Sequence, residues 1–174
     1  FDNSVGHDFE EDADARHDFY HKVESKLPVD LEMLKEITKD GIPTKTLNII
    51  MAGTGVGKSL FRCHMACANM LEGKNVLYIT MEMAEERIAE RLDANLLDVT
   101  MEDLAVLPKS SYQKKMKRLM ETCTGKIVIK EYPTASANAN HFRHLLQELR
   151  TKKNFKPDVI YIDYLNICAS FRIR

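Results

Sequence analysis

A parallel β-sheet covered by helices on both faces is the α/β fold class that these 174 residues predict. Short Val- and Ile-rich segments alternate with longer helical ones, the pattern of repeated β-α units. One such segment, Thr46–Ala52, runs straight into a glycine-rich turn followed by Lys58-Ser59, and two others end in acidic residues. Ligands gather at the carboxyl ends of parallel strands, so these three features are expected at one edge of the sheet.

Residues 5–27 place Val5, Phe9, Ala13, Tyr20, Val23 and Leu27 at helical spacing, with Asp8, Glu10, Glu11, Asp12, Asp14 and Asp18 between them. The spacing predicts an amphipathic, acid-rich helix ahead of the core. Its acidic run reads as a solvated face, because no oxygen-ligand loop with its turn glycine accompanies it. The apolar stripe suits packing on its own domain or on a neighbouring subunit. Pro28 separates this segment, residues 1–27, from a core over residues 28–174.

Leu31–Thr38 reads as a short helix stopped by Lys39-Asp40-Gly41 and Pro43. The alternation then begins, with strand Thr46–Ala52 before helix Lys58–Leu71 and strand Asn75–Thr80 before helix Ala84–Leu97. Strand Lys126–Glu131 precedes helix Asn138–Thr151, and Asp158–Asp163 is the last strand. Between them Ser110–Cys123 forms an inserted helix, whose Lys114, Lys115, Lys117 and Arg118 suit a solvated face better than a nucleic-acid patch.

The run Ala52-Gly53-Thr54-Gly55-Val56-Gly57-Lys58-Ser59-Leu60 carries a phosphate-binding pattern. Its three glycines let the backbone curl so that successive N–H groups point at a triphosphate. Those groups sit at a helix N-terminus, where the dipole also favours anions. Lys58 then brings a point charge to the outer phosphates, and the Ser59 hydroxyl serves as a Mg²⁺ ligand. Ala52 replaces the usual first glycine, which matters little where the turn needs no positive φ. The plain alternative is a glycine-rich turn that binds nothing, and the strand-turn-helix context argues against it.

Composition excludes other classes. With 44% apolar and 29% charged residues the chain reads as an ordinary soluble domain, and a formal net charge of −1 gives no global pull toward nucleic acid. No apolar run approaches a membrane span, and no basic-then-apolar leader opens the chain, so a cytoplasmic protein is expected. The absence of Met at position 1 makes a fragment the expectation. Cys63 and Cys67 lie one helical turn apart beside His64, but Cys123 and Cys168 form no second close pair. Small buried residues in a reduced compartment are therefore expected rather than a metal site.

Two strand ends supply the remaining chemistry. Asp158-Val-Ile-Tyr-Ile-Asp163 is an apolar strand delivering a carboxylate, the form of a Walker B element that holds Mg²⁺ directly or through water. Val76-Leu-Tyr-Ile-Thr80 ends in Met81-Glu82-Met83. A carboxylate at Glu82 suits a proton acceptor for the water attacking the γ-phosphate, and equally an acidic residue opening the next helix. Glu85 and Glu86 suit the helix opening better.

Ala-Gly-Thr-Gly-Val-Gly-Lys-Ser, then Tyr-Ile-Thr-Met-Glu-Met, then Ile-Asp-Tyr-Leu at 162–165 resembles the ordered motif set of DnaB-type hexameric replicative helicases, within the RecA-like ATPases. Met-Glu-Met and Ile-Asp-Tyr-Leu are the discriminating elements. The opening Phe1-Asp-Asn-Ser-Val-Gly-His-Asp, the run Met81–Asn95 and the tail Tyr164-Leu-Asn-Ile-Cys followed by Phe171-Arg-Ile-Arg174 resemble the T-even-like bacteriophage branch of that family.

The resemblance implies a RecA-like P-loop core that binds ATP and Mg²⁺, with Lys58 and Ser59 on phosphate and magnesium, Glu82 as the catalytic glutamate and Asp163 as the Walker B aspartate. It makes residues 1–27 a linker that packs on the next subunit of a ring hexamer. It also implies single-stranded DNA, primase and a helicase loader as partners. In the family the DNA-gripping loops, the sensor residue and the arginine finger follow the Walker B strand, and this chain ends shortly after Asp163. The runner-up is a RecA-like recombinase, or another RecA-like ATPase without unwinding activity. A degenerate P-loop scaffold has no physical need for Lys58, Ser59, Glu82 and Asp163 together.

Overall fold

The computed structural model describes residues 9–10, 12–21 and 25–170. A helix, α1 (Ala13–His21), comes first, and none of its residues is buried. The remainder of the helix expected over residues 5–27 lies partly outside the described residues, and its end is a correction. Lys26–Leu27 is a strand, β1, paired antiparallel with β2 (Ile42–Pro43). Pro28 disfavours helical backbone at Leu27, and the extended pair forms instead. Between the two strands lies α2 (Glu32–Thr38), which ends at Lys39 in left-handed conformation, φ 51°.

Eight further helices and strands follow among the described residues. In order they are α3 (Lys58–Leu71), β3 (Asn75–Thr80), α4 (Glu85–Leu96), then two surface helices α5 (Met101–Val106) and α6 (Lys109–Thr122). They are followed by β4 (Lys126–Glu131), α7 (Ala139–Lys153) and β5 (Val159–Asp163). The three longer strands form one parallel sheet in the order β4-β3-β5. Central β3 is closed on both faces: Val76, Leu77, Tyr78 and Ile79 are each no more than 1% exposed.

Alternation along β3 sends its residues to two apolar clusters. Val76 and Tyr78 pack with Cys63, Ala66, Cys67 and Met70 of α3 and with Ile88 and Leu92 of α4. Leu77 and Ile79 pack on the other side with Leu145 and Leu149 of α7 and with Phe155. Helices therefore cover both faces, as an α/β fold requires. Helix α6 buries none of its residues, in keeping with a solvated basic face.

Thr46–Ala52 is the second correction. It follows the strand pattern but joins no ladder among the described residues, and Leu47, Ile49 and Met51 stand exposed. A helix satisfies its backbone within its own segment, whereas a strand depends on a neighbour. None of the described strands provides one here.

Candidate functional site

The turn after residue 52 is shaped by two glycines that hold conformations other residues avoid. Gly55 has φ 75° and Gly57 has φ 96°, the left-handed region where a side chain is strained. Neither is crowded, since a Cβ added at either would meet nothing within 4 Å. The loop is thus open above its backbone. Gly57 is the N-cap of α3, where no side chain caps the helix and no acidic residue occupies the first turn. Its orphan N–H groups and positive dipole end remain available to an anion. Lys58 closes the base of the loop, with Nζ donating to the carbonyls of Ala52 at 2.8 Å and Gly53 at 2.7 Å. Thr54, Val56 and Leu60 are exposed, and Ser59 is half-buried.

The acidic strand ends meet through the register of the sheet. Thr80 of β3 lies beside Asp163 of β5 on one side and Glu131 of β4 on the other. Two residues past Thr80, Glu82 stands exposed in a turn held from several sides. Thr80 Oγ1 donates to the Met83 carbonyl at 2.8 Å, Thr134 Oγ1 donates to the Met81 carbonyl at 2.9 Å, and Met81 N–H donates to the Asp163 carbonyl at 2.9 Å. The backbone that carries Glu82 is fixed to both neighbouring strand ends while its carboxylate faces solvent.

Glu85 and Glu86 open α4, as expected. Glu85 also exchanges hydrogen bonds with Glu131. Glu85 N–H donates to Glu131 Oε2 at 3.1 Å, and Glu131 N–H donates to Glu85 Oε1 at 2.8 Å.

Asp163 is only 1% exposed, and both of its carboxylate oxygens are engaged. Arg62 of α3 donates to Oδ1 in a buried ion pair, and the Tyr78 hydroxyl donates to Oδ2 at 3.1 Å. Cys63 Sγ in turn lies 3.9 Å from the Tyr78 oxygen. Burial foremost, together with Cys63 and Asp163, pushes the Tyr78 hydroxyl far up, so it stays a protonated donor. Burial likewise raises the Cys63 thiol. Ser59, Arg62 and Cys63 are three and four residues apart on one face of α3, from which Arg62 reaches Asp163 of β5 and Cys63 meets Tyr78 of β3. Tyr161 tightens that contact by donating to Asn69 Oδ1 at 2.7 Å, while Asn69 Nδ2 donates to the Pro28 carbonyl at 2.8 Å.

Lys58 and Ser59 open the helix whose Arg62 pairs with Asp163, and the turn that carries Glu82 is tied to the Asp163 carbonyl through Met81 N–H. Sequence analysis did not single out Arg62, Tyr78 or Glu131. Arg62 shares a buried face of α3 with Ala66 and Asn69 but carried no signal of its own in the sequence, whereas Glu131 ends its strand as Asp163 does. A cleft of about 440 Å³ lined by Glu86, Glu90, Asp93, Leu104 and Tyr112 contains none of these residues. Among the described residues no cluster of three or more His, Cys, Asp and Glu side chains could hold a metal ion.

Residues 27–173 match the family described as the DnaB-like helicase C terminal domain. The chain belongs to that family. The family is RecA-like, and the parallel sheet flanked by helices is the corresponding architecture. Among curated proteins, the chain is 49% identical over 177 residues to the "DnaB-like replicative helicase" of Enterobacteria phage T4, covering all of this chain and 37% of that protein. It is 26% identical over 124 residues to the "Probable plasmid replicative DNA helicase" of Chlamydia psittaci, covering 70% of this chain and 26% of that protein. The chain therefore spans little more than a third of the longer-matched relative. Among the described residues no helix is long and apolar enough to cross a membrane.

Proposed function

We propose that the protein containing this chain is an ATP-driven replicative DNA helicase that moves on single-stranded DNA and separates duplex strands. One observation supports the reading: in a DnaB-like domain, an open glycine loop stands at the uncapped N-terminus of the helix whose Arg62 pairs with Asp163, and Glu82 follows the strand beside Asp163. The donor set fits a magnesium-nucleotide complex. Ser59 and Asp163 offer hard oxygens, and Gly55 and Gly57 leave open space above the loop for phosphates. When bound, MgATP supplies the phosphoanhydride bond whose cleavage drives movement.

This chain's own residues then divide the work. Backbone N–H groups from Gly53 to Leu60 hold the phosphates, and Lys58 turns from the Ala52 and Gly53 carbonyls to the outer ones. Ser59 and Asp163 position the magnesium. Glu82, exposed on a fixed backbone turn, accepts a proton from the attacking water or orients it. Residues 1–27 form a subunit contact: Phe19 and Tyr20 of α1 are 61% and 71% exposed, apolar area suited to a neighbouring subunit in a ring hexamer. DNA is gripped by segments outside this chain, primase and a loader are further partners, and the setting is the host cytoplasm if the protein is phage-encoded.

Mg²⁺-dependent ATP hydrolysis by the full-length protein, with and without single-stranded DNA, tests this reading. DNA should stimulate turnover, and Glu82→Ala should lower it by roughly 10²–10⁴-fold while leaving nucleotide binding intact. Undiminished turnover removes Glu82 from its role, and hydrolysis indifferent to DNA removes the helicase reading.

A further inference from the structure

The pair between Arg62 and Asp163 lies well inside the protein, with the two side chains 9% and 1% exposed. A buried carboxylate requires a cation, and here a guanidinium one turn beyond Ser59 supplies it. A divalent ion reached through Ser59 would neutralise that same carboxylate. Two cations on one buried carboxylate repel each other, so the arrival of one weakens the hold of the other.

The surroundings divide the carboxylate into a fixed side and an exchangeable side. Oδ2 is kept by Tyr78, whose hydroxyl is itself buried between Asp163 and Cys63. Oδ1 is kept by Arg62, a long side chain with several rotatable bonds, anchored near the amino end of α3. The Tyr161–Asn69–Pro28 chain holds α3 against β5, so Oδ1 can change partner without the helix moving.

We propose that Arg62 is a resident counter-cation of Asp163, a positioning residue that a magnesium-nucleotide complex must displace. Arg62 thereby sets how much Mg²⁺ this site requires. The proposal rests on the nucleotide reading above and deepens it. It assigns the chain a closed state, with Asp163 held by Arg62, and an open state, with Oδ1 released to the metal.

The test is the Mg²⁺ dependence of binding of a fluorescent, non-hydrolysed ADP analogue to the full-length protein, which reads no turnover. Arg62→Met and Arg62→Gln remove the competing charge, and their Mg²⁺ midpoint should fall by about tenfold. Arg62→Lys keeps the charge and should stay near the wild-type midpoint. A purely structural Arg62 would lower thermal stability in both neutral variants and leave the midpoint where it is. An unchanged or raised midpoint in folded Arg62→Met or Arg62→Gln overturns the proposal while leaving nucleotide binding standing. A wild type that binds no nucleotide at any Mg²⁺ concentration overturns both. Should the neutral variants not fold, crystal structures of the wild type with and without MgADP decide: release of Arg62 from Asp163 on binding is expected, and an intact pair beside bound magnesium contradicts it.

Discussion

Cys67 is fully buried on α3, and burial above all, then Cys63 and Asp93, pushes its thiol up to about 12 from an ordinary 9.0. The unfolded thiol loses its proton near 9.0, while the folded one keeps it until about 12. The folded state therefore binds more protons in that window, and stability present below pH 9.0 is lost as the pH rises toward 12. Thermal unfolding measured across this range should show a falling Tm as stability drops by up to about 1.4 kcal/mol per pH unit for one group, and Cys67→Ala should lessen the fall. A flat profile in the wild type contradicts the burial of this thiol. The same residue scale shows what the sequence conceals. Asp163 was legible because an apolar strand ending in Asp after a phosphate loop has a known use. Arg62 was not, because a charged residue on a helix ordinarily faces water. Its carboxylate partner lies 101 residues further along the chain.

Elements differ in how far they carry their own explanation. Lys58–Leu71, Asn75–Thr80 and Lys126–Glu131 form with the bounds read from the sequence, because apolar periodicity and turn residues mark both ends. Helix α7 is likewise announced by Asn138, whose side chain accepts from the N–H groups of Asn140 and His141 while His141 Nδ1 returns to the Asn138 N–H. This capping box starts the helix that closes one face of the sheet, since Leu145 and Leu149 bury Leu77 and Ile79. Asn138→Ala should cost about 1 kcal/mol and lower Tm by about 2–4 °C in a thermal melt, and a loss under a few tenths of a kcal/mol would deny the cap its role. Thr46–Ala52 failed as a strand for the converse reason. Its Leu47, Ile49 and Met51 alternate correctly, yet ladder formation needs a partner that a local pattern does not name. The predicted helix over 5–27 overran because periodicity alone did not register that Pro28 stiffens the backbone before it.

At the scale of the molecule, parallel register sets Glu82 just past the end of β3 beside Asp163 at the end of β5, and Arg62 ties α3, the helix that the glycine loop opens, to Asp163. Sequence analysis expected the loop, Glu82 and Asp163 at one edge from the alternation of strands and helices. It did not supply the hydrogen bonds by which Thr80, Thr134 and the Asp163 backbone hold the Met81–Met83 turn, because those join segments far apart in the chain. In the proposed function, that rigidity links the residue assigned to the attacking water, Glu82, to the residue assigned to the metal, Asp163. The proposal makes hydrolysis and movement on DNA two readouts of one device. Strand separation on a forked DNA duplex by the full-length protein, with MgATP and with a non-hydrolysable analogue, tests this most directly. Unwinding with MgATP alone, lost in Glu82→Ala, is the predicted result; a full-length protein that hydrolyses ATP in the presence of the fork yet leaves the strands paired contradicts it.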